Sequence, residues 1–144
     1  DVGFDVANLA NNHVLDQGAS GLKSTLDLWD SIPSVLTTGA YQNEEDFDNI
    51  RTMEKNGITF AFLGMTELTN GLSLPDNTDL VVLRTQDEER VKAQIEKAKA
   101  ISDIVVVNVH WGVEYTHKPT NINMSTHKSL QTGVQILYWG IIRT

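Results

Sequence analysis

Two uninterrupted apolar runs limit what this chain can fold into. Ile58 to Met65 and Ile104 to Val109 are almost wholly apolar, and the second is rich in β-branched residues. A strand with one wet face alternates polar and apolar residues, whereas a strand covered on both faces does not. Both runs therefore predict buried strands, with Ile104 to Val109 the central one. The first run follows Arg51 to Glu54 and the turn Lys55-Asn56-Gly57. Asn-Gly tolerates the positive φ of a tight turn, so this stretch predicts a β-hairpin.

Helical patterns alternate with these strands. Leu22, Leu26 and Trp29 form an amphipathic stripe that Ser31 to Pro33 stops. Val91, Ile95, Ala98 and Ile101 form a second stripe, preceded by Thr85 and Glu88 in capping-box spacing. Phe4 to Leu9 predicts a short buried strand, Val35 to Thr38 another, and Val81 to Leu83 a third. Glu44 to Asp48 suits a solvated face or a short helix, and Thr66 to Pro75 a loop. Such alternation predicts an α/β layered fold. Ligands in these folds gather at the carboxyl ends of strands. Two strands here end in polar, histidine-bearing turns: Asn11-Asn12-His13, and His110-Trp111-Gly112-Val113-Glu114.

Charge and composition narrow the chemistry. Nineteen acidic against eleven basic residues give a net charge of −8. A nucleic-acid surface wants the opposite sign, so nucleic acid is not an expected partner. An acidic site can still hold a polyanion when metal cations supply the local charge. The absence of cysteine excludes disulfides, thiolate metal sites and cysteine nucleophiles. No apolar run approaches the roughly 20 residues that span a bilayer. The chain opens at Asp1 without Met, which suggests an internal piece of a longer protein.

Asn12 offers an amide oxygen, His13 an imidazole and Asp16 a carboxylate from one loop; His110 and Glu114 offer similar donors from another. Nitrogen and carboxylate ligands suit Zn, Mn or Fe. Two such loops meeting at a sheet edge can build a two-metal centre that clamps phosphate or activates water. The same residues also suit ordinary capping and turn chemistry, and spacing alone leaves both readings open. Asn11 and Asn70 are further candidates for lining the edge, with Thr66 and Thr69 on the same loop as Asn70. Trp111 and Tyr115 suit either a cleft wall or packing. His117 and His127 suit solvent exposure, and Asn123-Met124-Ser125 matches a glycosylation sequon, a weak pattern.

The run from Gly3 through Asn11-Asn12-His13 to Gly18, with Gly21-Leu22 beyond, resembles the signature of the bacterial CapA-type poly-γ-glutamate capsule synthesis family. Asn56-Gly57-Ile58 through Phe62-Leu63-Gly64, then Thr66 and Asn70-Gly71, is similar to its middle section. Val109 to Tyr115 is similar to its third block. The likeness runs from about Gly3 to Asn121. That family is similar to the calcineurin-like metallophosphatases, which implies a four-layer α/β/β/α sandwich with two divalent metal ions at the strand ends. The resemblance implies that Asn12 and His110 are metal ligands. It implies that His13 contacts the phosphate or leaving group in catalysis. Asp16, Trp111 and Glu114 occupy signature positions.

The same resemblance implies metal-assisted hydrolysis or transfer on a phosphate-containing or polyanionic substrate. It also implies a place in a membrane-associated capsule machinery at the cell surface. A non-catalytic polymer-assembly or export component is the alternative. The family's early Gly-Asp block and its closing Gly-His-His-Pro-His block are both missing here. The expectation is a partial domain over residues 1–121, incomplete at both ends and inactive alone, with apolar edges that favour aggregation.

Residues 122–144 form a divergent tail. Trp139 to Thr144 can be encoded as TGG GGC ATC ATC CGC ACG, which read two bases later gives Gly-His-His-Pro-His. Thr132 to Tyr138 shifts in the same way to Gly-Gly-Ala-Asp-Ile-Ile-Leu, the family's usual approach to that block. The tail is therefore expected to be a frameshifted reading.

Overall fold

The computed structural model describes residues 3–112 and the backbone of Ile136–Gly140. The chain begins with strand β1 (Val6–Asn8), helix α1 (Gly18–Asp30), strand β2 (Leu36–Thr38), strand β3 (Ala40–Tyr41) and helix α2 (Glu44–Asp48). It continues with β4 (Arg51–Lys55), β5 (Ile58–Thr66), β6 (Val81–Val82), helix α3 (Glu88–Ile101), β7 (Ile104–His110) and β8 (Ile136–Gly140).

The two apolar runs become neighbours. β5 pairs in parallel with β7, from Phe60 opposite Ile104 to Thr66 opposite His110. The hairpin forms as expected: β4 pairs antiparallel with β5, and Asn56 and Gly57 take φ of 56° and 75°. β8 adds in parallel on the far side of β7, giving the order β4-β5-β7-β8. β7 is thus flanked on both sides. Two smaller pairs stand apart: β1 with β2 in parallel, and β3 with β6 antiparallel.

The layers follow from which face each side chain takes. Ala61, Leu63 and Met65 of β5 and Val105, Val107 and Val109 of β7 pack with Val91, Ile95 and Ala98 of α3. On the opposite face of β5, Gly64 lies against Asn8 and Gly39: a Cβ there would sit 2.3 Å from Asn8 Oδ1 and 2.9 Å from Gly39 Cα. Thr38 Oγ1 also donates to the Phe62 carbonyl at 3.3 Å. Leu22 and Leu26 of α1 then pack with Leu15 and Ala40, against Leu9 and Val82. Helix, strands, strands and helix succeed one another, the α/β/β/α order of a metallophosphatase-like sandwich.

Several elements differ in detail from the sequence reading. β1 is three residues long, and Phe4 is 53% exposed rather than buried. The Thr85–Glu88 capping box does not form. The Thr85 N–H donates to the Thr66 carbonyl instead, and α3 starts after Asp87 without a side-chain cap. Ile101 is exposed at the end of α3, and Gln94 takes a buried place, donating to the Phe47 carbonyl at 3.1 Å. The acidic stretch is a short helix, capped by Asn43 and anchored by buried Phe47. β8 has no counterpart among the expected strands.

Candidate functional site

The loop after β1 is built by its own asparagines. Asn8 accepts from the Ala10 N–H at 3.1 Å and donates to the Ala10 carbonyl at 3.2 Å, which folds the chain sharply as it leaves the strand. Asn11 donates to the Leu9 carbonyl and accepts from the His13 N–H at 2.8 Å, an Asx-type turn. The Val14, Asp16 and Gly18 N–H groups continue the turns back to Asn11, His13 and Leu15. The side chains of Asn12, His13 and Asp16 are thereby carried on one hydrogen-bonded loop.

Those three meet Asn70. His13 Nδ1 and Asp16 Oδ2 are 2.6 Å apart. An ionised carboxylate can only accept, so His13 carries its proton on Nδ1 and donates it to Asp16. Asn70 Nδ2 donates to Asp16 Oδ1 at 3.2 Å. It also lies 3.3 Å from His13 Nδ1. With the ring proton on Nδ1, this is an approach of two donors to one carboxylate, not a third hydrogen bond. Asn12 Nδ2 donates to Asn70 Oδ1 at 3.2 Å. The His13 bond first and the Asn70 bond second hold the Asp16 carboxyl below its ordinary pKa of 3.8, outweighing a small opposing effect of burial.

Asn12 is 7% exposed, and its Oδ1 is buried without a hydrogen-bond partner. A buried amide oxygen is normally satisfied, so this one stands out as an acceptor left without a partner.

The second strand end joins through the loop after β5. The Glu67 N–H donates to the His110 carbonyl at 2.8 Å, and Thr66 Oγ1 approaches the same carbonyl at 3.4 Å. The Gly112 N–H donates to Glu67 Oε2 at 3.0 Å. Thr66 and Thr69 are buried and shape the loop by donating to the Leu68 and Leu72 carbonyls. This loop starts beside His110 and delivers Asn70 to the Asn12–Asp16 loop, so one segment bridges both histidine-bearing strand ends. Trp111 packs against the main core. Glu114, Tyr115, His117, His127 and the Asn123 sequon lie outside the described residues. Asn8 and Glu67 were not singled out from sequence. An asparagine inside an apolar strand, matched by Gly39 and Gly64 around it, is the signal that marks Asn8.

The layered α/β sandwich, with a polar cluster at its strand ends, has a metallophosphatase-like fold. A crystal structure of a Staphylococcus aureus protein provisionally named a 5′-nucleotidase has the same fold, with a TM-score of 0.59 at 18% identity, over 94% of this chain and 28% of that one. The family model described as "Bacterial capsule synthesis protein PGA_cap" matches residues 1–138, and the chain belongs to that family. It is 37% identical over 124 residues to "Capsule biosynthesis protein CapA" of Bacillus anthracis, across 83% of this chain and 30% of the relative. It is 35% identical over 122 residues to "PGA biosynthesis protein CapA" of Bacillus subtilis (strain 168), across 84% of this chain and 32% of the relative. The chain thus spans about a third of the length of the curated relatives it matches.

Proposed function

We propose that this chain carries part of a metal-assisted site acting on a phosphate-containing or polyanionic substrate in poly-γ-glutamate capsule synthesis. The observation that supports this most is the buried, unpartnered Oδ1 of Asn12 next to the His13–Asp16 pair. An amide oxygen and an imidazole suit a borderline divalent ion, so Asn12 and His110 are the residues that would hold metal. Among the described residues no three His, Cys, Asp or Glu side chains gather as a metal cluster. A two-ion site therefore takes further donors beyond these. When bound, divalent ions supply charge neutralisation at phosphate and a water of lowered pKa.

The chain's own contribution is orientation and proton handling. Asp16 fixes the ring of His13 with the proton on Nδ1, which makes Nε2 the basic nitrogen of the neutral ring. Once Nε2 has also taken up a proton, His13 is set to donate to a phosphate oxygen or to pass that proton to a leaving group. The expected setting is a membrane-associated capsule complex at the cell surface; among the described residues no helix is long and apolar enough to cross a membrane.

The test uses an intact relative carrying the equivalents of His13 and His110. Changing His13→Ala is expected to lower metal-dependent phosphoester turnover by about 10²- to 10⁴-fold, and His110→Ala to abolish tight metal binding. Absence of metal-dependent turnover on any phosphoester, with normal capsule after His110→Ala, would instead favour a non-catalytic assembly or export component.

A further inference from the structure

We infer that Asn70 is a positioning residue: it sets the orientation of the Asn12 side-chain amide and so makes Asn12 Oδ1 the atom available to a ligand. The two ends of an asparagine amide have nearly the same shape, so neighbours decide which end points where. Here the decision starts at Asp16. Its carboxylate can only accept, so Asn70 must turn Nδ2 toward Asp16 Oδ1, at 3.2 Å. That places Asn70 Oδ1, which also can only accept, on the side of Asn12. Asn12 must then turn its own Nδ2 toward Asn70, again at 3.2 Å. The Asn12 oxygen is left buried and without a partner. Were Asn70 reversed, its oxygen would face the Asp16 carboxylate, and its Nδ2 would engage the oxygen of Asn12. One charge thus determines, through two amides, which atom of Asn12 is available.

The backbone explains why the residue is asparagine. Asn70 has φ of +52°, in the left-handed region, and Gly71 follows at +74°. Asparagine enters that region at lower cost than most side chains and still carries a donor and an acceptor on one short stem. Glycine would keep the backbone but lose both contacts, and aspartate would set an oxygen against Asp16. Asn70 also comes from the loop that starts beside His110, so the device fixes the two loops relative to each other.

The value of the device for metal binding rests on the proposed ligand role of Asn12; the hydrogen-bond order does not. The first readout is therefore the metal-free, isotope-labelled chain by NMR. In the unaltered protein the two Asn12 Nδ2 protons should be well separated, with one protected from exchange. Asn70→Gly should collapse that separation while leaving His13 protonated on Nδ1 and the β7 amide signals in place. Asn70→Ala, which also removes the acceptor facing Asn12, should do the same and serves as the second variant if glycine unfolds the loop. The second readout is Mn²⁺ titration, where either variant should weaken binding by about 10- to 100-fold. Unchanged Asn12 signals in both variants would overturn the inference. Collapse of those signals in a chain that binds no Mn²⁺ even unaltered would uphold the positioning role and count against the metal reading of Asn12.

Discussion

Asp16 shows how much one carboxylate organises here. It receives the His13 ring proton and the Asn70 amide, and both bonds favour its ionised form. Its folded-state pKa lies below 3.8, so the stabilisation from this pair is present above that pH and is lost as pH falls through the lowered value. A carboxyl ¹³C titration should place the Asp16 midpoint below 3.8. His13→Ala should return it toward the ordinary value further than Asn70→Gly does, because the histidine bond is the larger cause. Equal shifts, or none, would contradict that ranking. Asn12, His13 and Asp16 could be read from sequence as one group because they share a loop. The part played by Asn70 could not: its partner Asn12 is 58 residues away, and only the packing of β1 against β5 closes that distance.

At the scale of elements, two glycines, Gly64 and Gly57, carry different expected costs. Gly64 has little room: a Cβ would meet Asn8 Oδ1 at 2.3 Å and the Gly39 backbone at 2.9 Å. Backbone cannot move aside as a flexible side chain can, so Gly64→Ala should destabilise by about 1–3 kcal/mol through overpacking between the two strand layers. Gly57 has open space around it but φ of +75°. Gly57→Ala should cost only the left-handed backbone penalty, about 1–2 kcal/mol, and should leave the Asn8 contacts intact. Denaturant midpoints rank the two, and the Asn8 side-chain amide signals separate their causes, moving only for Gly64→Ala. The same elements show what sequence patterns can and cannot carry. The hairpin, β5 and β7 were legible because their signals are local: Asn-Gly at the turn and unbroken apolar runs in the strands. The capping box at Thr85 failed because a tertiary bond to Thr66 holds that residue outside the helix. Ile101 matched the helical period, but the stripe ends a turn before it.

For the molecule as a whole, the open question is how the chain continues past β7. The family model matches through residue 138, and β8 takes the place beside β7 over Ile136–Gly140. The in-frame stretch Ile136-Leu137-Tyr138-Trp139 favours a strand by composition. The shifted reading puts Ile-Ile-Leu over the same codons, with Ala-Asp before it and Gly-His-His-Pro-His after it. Both readings therefore supply an apolar strand at one position in the sheet, and backbone pairing alone does not distinguish them. They differ in what leaves the strand end. In sequence, the in-frame chain continues with Ile141-Ile142-Arg143-Thr144, which carry no imidazole or carboxylate, whereas the shifted frame encodes three histidines. A metal-assisted site gains donors only from the second. We predict that the gene, read two bases later from about Ile122, encodes that histidine block, and that restoring the frame raises Mn²⁺ affinity at least about tenfold through the added imidazole ligands. The nucleotide sequence decides the first part and a titration of the restored chain the second. An uninterrupted downstream frame without the block would show the tail to be a true divergence of this chain.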